Sequence, residues 1–156
     1  MTLEPRTPPS AASEAALTAQ ACSFALEHCR TVAVVGLSPK THRDSYEVAQ
    51  YMQRKGWRIV PINPNASEIL GEKAYPTLLD AAREHRIELV NVFRNSADVP
   101  PVVDEAIGIG AKAIWLQLGI VNEMAAAKAR ALDISVVQNR CLMVEHARQD
   151  REKTAR

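Results

Sequence analysis

The segment TVAVVGLSPKTHRDS, residues 31–45, decides the fold of this chain. Its first five residues have the density of β-branched side chains that is typical of a strand buried on both faces. Gly36 ends this strand, and a polar, basic loop leads into a periodic segment for which Asp44 or Ser45 is the predicted N-cap. The segment therefore predicts a strand, a glycine turn and a helix N-terminus, in that order.

Strand and helix patterns continue to alternate along the rest of the chain. After the strand at 31–35, further strands are predicted at 57–62, 89–93, 113–118 and 134–137. Helices are predicted at 14–28, from residue 44, at 78–85, 99–107 and 122–131, and after the last strand. Strands that alternate with helices pair in parallel through right-handed crossovers. The predicted fold class is therefore α/β, a three-layer, Rossmann-like, doubly wound parallel sheet of about five strands.

The two ends of the chain are predicted to lie outside the domain. Residues 1–13 hold three prolines and few apolar side chains, which indicates a flexible tail. Residues 151–156 are expected to form a polar tail. The remaining residues, 14–150, then form a single domain.

Charge and composition exclude several classes of partner. The chain has 19 Lys and Arg against 18 Asp and Glu, and a net charge of +1 gives no basic footprint for nucleic acid or an anionic membrane. No apolar run approaches the roughly 20 residues that a membrane span needs. Cys22 and Cys29 lie about 10 Å apart by the rise of one predicted helix, too far for a disulfide, which favours a reducing compartment. We therefore expect a cytoplasmic protein.

The polar loop after the first strand has the features of an anion site. Unpaired N–H groups and the positive end of the helix dipole favour an anion at a helix start, and Lys40, His42 and Arg43 add charged donors. In a doubly wound sheet, ligands bind at the carboxyl ends of the strands, where the strand order reverses. Three other polar strand tips would meet the loop there: Asn63-Pro64-Asn65, Phe93-Arg94-Asn95 and Gln117-Leu118-Gly119.

Missing motifs narrow the choice of ligand. The dinucleotide fingerprint G-x-G-x-x-G is not met, and the second strand ends in Asn63-Pro64 where an NAD site would place an acidic residue. The phosphate loop G-x-x-x-x-G-K-[ST] is also absent. The residues favour a phosphate-bearing nucleotide held by Lys40, Arg43 and Arg94.

Several motifs in this order resemble a known family. They are GLSPKTHRDS, RIVPINPNASEILGEKAYPTL, VNVFRNS, AIWLQLGIVNE and NRCLMVEH. Over about residues 31–146 the chain resembles the small stand-alone coenzyme A-binding proteins, which are similar to the nucleotide-binding domain of the succinyl-CoA synthetase α subunit. The resemblance implies a Rossmann-like fold and coenzyme A, or an acyl-CoA, as the ligand.

The same resemblance implies which residues form the site. Gly36, Leu37, Ser38, Lys40, Arg43 and Ser45 would line the phosphate side, Asn63, Pro64, Asn65, Phe93 and Arg94 the nucleotide side, and Gln117 the inner wall. The chain also departs from the family pattern. Asn91, Asn95 and Asn139 stand where the family usually has Asp, Arg and Asp.

Several of these residues also have purely structural interpretations. Gly36 is needed for a tight turn whatever binds, and Arg43 could pair with Asp44 or Glu47 on the surface. The segment Asn63-Pro64-Asn65 could be a simple turn. The four histidines show no metal-ligand spacing, so no metal site is predicted.

Three further residues are weighed against a place in the core. Trp57 and Trp115 are predicted core or interface residues rather than platforms for a ligand. Cys141 is expected near the start of the last helix, where the dipole and Arg140 could activate its thiol toward a mixed disulfide with CoA. The favoured interpretation of Cys141 is a small buried side chain.

Two classes of function follow from the sequence. The favoured class is a binding or regulatory module for CoA, without catalysis and without a catalytic residue. The alternative is a nucleotide-dependent enzyme, either an NAD(P)-linked oxidoreductase or a subunit of an acyl-CoA ligase. A ligase of the related type needs a phosphorylated histidine and a nucleotide-grasping domain, for which 156 residues leave no room. The oligomeric state and any protein partner stay open.

Overall fold

In the computed structural model, which describes residues 11–155, the predicted strands and helices are present with nearly the predicted bounds. The strands are β1 (Thr31–Val35), β2 (Arg58–Ile62), β3 (Glu68–Ile69), β4 (Glu72–Lys73), β5 (Leu89–Val92), β6 (Ala113–Leu116) and β7 (Ser135–Val137). The helices are α1 (Ala11–His28), α2 (Asp44–Arg54), α3 (Leu78–Ala82), α4 (Val99–Gly108), α5 (Glu123–Arg130) and α6 (Leu142–Thr154), with a 3₁₀ turn at Ser96–Asp98 before α4.

Five strands form one parallel sheet in the order β2-β1-β5-β6-β7. Val34, in the middle of β1, pairs with Pro61 of β2 on one side and with Asn91 of β5 on the other. The predicted doubly wound α/β sheet is therefore confirmed. After β1 the chain places β2 on one side of β1 and then β5 on the other side. The strand order therefore reverses between β1 and β5, which is the usual position of a ligand in such sheets.

The core has two halves, one on each face of the sheet. Ala33, Val90 and Ile114 point toward α3, α4 and α5, whereas the neighbouring strand residues Val34 and Leu89 point toward α1, α2 and α6. This alternation explains why the strands are continuous apolar runs: parallel strands covered by helices on both faces bury every side chain.

The two tryptophans belong to the core, as predicted. Trp57 and Trp115 are buried on the face covered by α1, α2 and α6. The indole Nε1–H of Trp115 donates to the carbonyl oxygen of Arg140 at 2.8 Å, which gives the polar atom of the ring its partner.

A small hairpin between β2 and α3 is absent from the sequence prediction. Its strands, β3 and β4, have two residues each and pair antiparallel, with Glu68 opposite Lys73. Leu70 and Gly71 form the turn, and both have positive φ angles, 55° and 76°. Two connecting residues with positive φ are typical of a tight hairpin turn. Strands of two residues are too short for an alternating pattern to reveal them.

The ends of the domain differ from the predicted bounds. Helix α1 begins at Ala11, so it includes the end of the segment that was predicted as a flexible tail; residues 1–10 of that tail lie outside the described residues. Helix α6 continues to Thr154, into the predicted polar tail. Of the helices in the described residues, none is both long enough and apolar enough to span a membrane.

Candidate ligand-binding site

The loop from β1 to α2 passes very close to the end of β5 at Gly36. Gly36 has a φ angle of +85°, and a Cβ atom there would overlap the carbonyl oxygen of Phe93. Hydrogen bonds join the same three strand ends: the N–H of Gly36 donates to Ile62 at 3.1 Å, and the N–H of Phe93 donates to Val35 at 2.8 Å. Glycine is therefore required for both the backbone conformation and the close approach.

The N-cap of α2 lies one residue before Asp44 and two residues before Ser45, the two predicted caps. Arg43 is the N-cap, without a capping side chain, so the prediction that Asp44 or Ser45 caps the helix is wrong. The helix begins earlier, which leaves the buried Ser45 hydroxyl free to accept the N–H of Ser38 at 3.0 Å. Ser38 Oγ in turn accepts the N–H of Lys40 at 3.1 Å. These bonds fix the loop against the helix.

The charges at this corner of the sheet are of both signs. Lys40, Arg43 and Arg94 are exposed, and within residues 11–155 none of them has an ion-pair partner. The surface pairing of Arg43 with Asp44 or Glu47 is therefore not formed. Asp44 and Glu47 lie in the first turn of α2, where carboxylates favour the positive end of the helix dipole. These two carboxylates weaken the attraction of the α2 N-terminus for an anion. Most of the attraction for an anion at this corner therefore comes from the cations of the loop.

At the end of β2, both polar atoms of the Asn63 side chain form hydrogen bonds within the protein. Its Nδ2 donates to the carbonyl oxygen of Leu37 at 2.9 Å, and its Oδ1 accepts the N–H of Asn65 at 2.8 Å. Asn63 thus forms an Asx turn and holds the β1–α2 loop. Pro64 and Asn65 are exposed beside it. Leu37 is fully buried, so none of its atoms is exposed at the surface of the site.

A cavity of about 300 Å³ opens at the carboxyl ends of β5 and β6. Two predicted site residues line it, the half-buried Phe93 and the buried Gln117. The Oε1 atom of Gln117 accepts the N–H of Leu142 at 3.0 Å and so ties the start of α6 to the sheet. The remaining lining residues are Asp44, Glu47, Val48, Leu118, Ile120, Cys141, Met143 and Val144.

The structure divides the predicted site residues into two groups. Phe93 and Gln117 line the cavity, whereas Lys40, Arg43 and Arg94 do not. The part of the cavity that α6 supplies is missing from the sequence prediction. Met143 and Val144 carry no chemical motif, and their only signal is the position of two apolar residues in the first turn of the last helix.

The loop between β7 and α6 is held firmly against the loop between β6 and α5. Asn139 Oδ1 accepts the N–H of Gly119 at 2.7 Å, and Gln138 Oε1 accepts the N–H of Asn122 at 2.8 Å. Asn139 has a φ angle of 56°, a conformation that asparagine tolerates better than most residues. These bonds build one wall of the cavity in advance of any ligand.

Cys141 is the N-cap residue of α6 and lines the cavity. Only 9 % of Cys141 is exposed, which agrees with the favoured interpretation of this residue as a small buried side chain. All three cysteines are free thiols. Within the described residues, no group of three or more His, Cys, Asp or Glu side chains could hold a metal ion.

Asn91 is an isolated polar side chain in the core. It is fully buried in the middle of β5, and no other group in residues 11–155 forms a hydrogen bond with its side-chain Oδ1 or Nδ2. Its strand neighbours in register are Val34 and Trp115. A buried amide without partners is destabilising, because it has lost its hydrogen bonds to water.

Comparisons with known proteins agree with this geometry. A protein family described as a CoA binding domain matches residues 30–147. The uncharacterized protein YneT of Bacillus subtilis is 38% identical over 122 residues, which cover 78% of this chain and 89% of YneT. A structure of a hypothetical protein from Pyrococcus horikoshii superposes with a TM-score of 0.79 at 35% identity, over 94% of this chain and 98% of that one.

A more distant relative is an enzyme. The ADP-forming acetate–CoA ligase II of Archaeoglobus fulgidus is 32% identical over 97 residues. These residues cover 60% of this chain but only 14% of the ligase. The similarity is thus confined to a small part of that enzyme.

Proposed function

Because this chain belongs to the CoA-binding domain family, we propose that it binds coenzyme A or an acyl-CoA at the carboxyl ends of β1, β2, β5 and β6. In this proposal the protein is a binding or regulatory module and catalyses no reaction itself. The observation that carries it is the loop of Gly36 to Ser45, which lies where the strand order reverses and presents cations that have no ion-pair partner in the described part of the chain.

The proposal gives the parts of the loop separate roles. Lys40 and Arg43 would contact the phosphates of CoA, since both are exposed and neither has an ion-pair partner within residues 11–155. Gly36, Ser38 and Ser45 would shape the loop, and the buried side chain of Leu37 would anchor it to the core. The Ser45–Ser38 hydrogen bond supports this division, because it holds the loop without using the cations.

The remaining strand ends would hold the nucleotide. Asn63, Pro64 and Asn65 would border the adenosine, with Phe93 and Arg94 on the opposite side and Gln117 as the inner wall. The Asx turn at Asn63 supports a preformed edge at this position. The absence of an acidic residue at the end of β2 argues against NAD, whose ribose such a residue would bind.

A second candidate function is that of a CoA-binding part of an acyl-CoA ligase. The similarity to the acetate–CoA ligase of Archaeoglobus fulgidus favours it. The chain matches only 14% of that ligase, so the remaining chemistry would need other protein domains. In that case the purified chain would form no acetyl-CoA from acetate, CoA and ATP, but would do so when the missing subunit is added.

Isothermal titration calorimetry of the full chain with CoA, NAD, NADP and ATP tests the proposal. We expect CoA to bind more tightly than the other three. Binding of NAD or NADP equal to or tighter than that of CoA would favour the oxidoreductase alternative instead. 3′-Dephospho-CoA is a useful fifth ligand, since weaker binding than CoA would show that the loop cations contact the 3′-phosphate.

A further inference from the structure

The cavity between α2 and α6 adjoins the loop that would hold the phosphates of CoA. We propose that it takes the acyl group of a short, uncharged acyl thioester of CoA, so that the protein distinguishes such thioesters from free CoA. This inference rests on the proposed function, because the cavity adjoins the loop that would hold the phosphates: Asp44, Glu47 and Val48 of α2 form one of its sides.

The walls of the cavity suit a hydrocarbon chain. Val48, Ile120, Met143 and Val144 contribute apolar side chains from three different segments of the chain. The volume of about 300 Å³ lies at the lower end of the range for small-molecule sites. It is enough for the thiol end of CoA and a few additional carbons. Free CoA would leave part of this apolar surface in contact with water.

The charges around the cavity select against an anionic acyl group. Its charged lining residues are Asp44 and Glu47, whereas Lys40 and Arg43 lie outside it. The Oε1 atom of Gln117 already accepts the N–H of Leu142, so it adds no free acceptor to the cavity. Phosphates and acyl carboxylates are therefore disfavoured in the cavity.

This distribution of charge matches the chemistry of an acyl-CoA. All phosphates of CoA are at the nucleotide end, and the arm that carries the sulfur is neutral and rich in amide N–H donors. The cations of the loop and the carboxylates at the start of α2 would thus face the parts of the ligand that each can bind. The hydrogen bonds of Asn139 and Gln138 keep the far wall in place before binding.

Titration of the full chain with CoA, acetyl-CoA, butyryl-CoA and succinyl-CoA tests the inference. We expect affinity to rise by about fourfold for each methylene buried between acetyl and butyryl. Succinyl-CoA should bind roughly tenfold more weakly than butyryl-CoA, because its carboxylate would lie near two others. Glu47→Gln should reduce that difference.

A matched pair of variants tests whether the preference for butyryl-CoA arises in the cavity. Val144 is 45% exposed and lines the cavity, whereas Val121 is 40% exposed and does not line it. Val144→Trp should fill the cavity and remove the preference for butyryl-CoA over free CoA. Val121→Trp should keep that preference. Circular dichroism checks that both variants are folded.

The possible outcomes separate this inference from the proposed function. If none of the four ligands binds, the proposed function itself is wrong. If CoA binds and butyryl-CoA binds no more tightly than CoA, only the acyl site is wrong. Retention of the butyryl preference in Val144→Trp would also overturn the acyl site, since the added ring leaves no space for the chain.

Discussion

Position 36 can carry no side chain, because the Cβ atom of any other residue would overlap the carbonyl oxygen of Phe93. The contact joins the end of β1 to the end of β5, the two strands between which the strand order reverses. The carboxyl ends of β1 and β5 are therefore in direct backbone contact at the base of the candidate site. Because of this contact, the β1–α2 loop and the end of β5 form one continuous surface.

We expect Gly36→Ala to reduce the free energy of unfolding by about 2 kcal/mol or more, through backbone strain at positive φ and the forced displacement of Phe93. Gly56→Ala is the matched control, because Gly56 has a similar φ angle of +89° and nothing within 4 Å of an added Cβ. Urea denaturation of both variants measures the difference. Equal destabilisation would mean that the Phe93 contact adds nothing to the strain.

Arg43 is expected to act on binding rather than on folding. Arg43→Ala should weaken CoA binding by about 1 to 3 kcal/mol, the range for a charge-assisted hydrogen bond. Its melting temperature should stay unchanged, because Arg43 is exposed and has no ion-pair partner in the described residues. Arg58→Ala is the control, since Arg58 is exposed at the opposite end of the sheet. A fall in melting temperature without a fall in affinity would identify Arg43 as structural.

Asn91 offers a route to a more stable protein. Replacing it with valine removes two buried polar atoms that have no hydrogen bonds within residues 11–155 and restores the apolar pattern of β5. We expect Asn91→Val to raise the free energy of unfolding by about 1 to 2 kcal/mol. Asn95→Val, at an exposed position, should change it by less than about 0.5 kcal/mol. A clear loss of stability in Asn91→Val would show that the amide is satisfied in solution.

The sequence predicted the fold well because the strands are buried on both faces. Each of β1, β5 and β6 is a run of mostly apolar residues, and the intervening helices have their own periodicity. The hairpin of β3 and β4 was not predicted, because strands of two residues are too short to show an alternating pattern of apolar and polar residues. The predicted caps of α2, Asp44 or Ser45, lie one and two residues after the observed cap, since hydrogen bonds, not residue type, set Arg43 at that position.

The candidate site was predictable only in part, for a related reason. Strand tips such as Gly36 and Phe93 were found because topology alone brings the carboxyl ends of parallel strands together. The cavity was not found, because Val48 and Val144 come from helices that are far apart in sequence. The sequence left the role of Asn63 open between a turn and a ligand-binding residue, since both have the same sequence signal there.

The last prediction concerns the pH dependence of stability at Glu88, which lies at the amino end of the sheet, away from the candidate site. Burial alone would raise the pKa of the Glu88 carboxyl, but hydrogen bonds from the backbone N–H groups of Arg30 and Thr31, and from Lys112, outweigh burial and lower that pKa below 4.5. A lowered pKa means that the charged carboxylate stabilises the folded state. This stabilisation is complete above the unfolded value and is lost as the pH falls through the folded pKa.

Glu88→Gln should therefore be less stable than the unchanged protein at pH 7, and the difference should shrink as the pH falls through the folded pKa of Glu88, below which both side chains are neutral. Urea denaturation at a series of pH values from 7 downward measures it. Glu123→Gln is the control for the loss of one exposed carboxylate, because Glu123 is exposed at the start of α5. A difference between Glu88→Gln and the unchanged protein that stays constant down to the lowest pH at which the protein folds would mean that shape, and not charge, accounts for the contribution of Glu88.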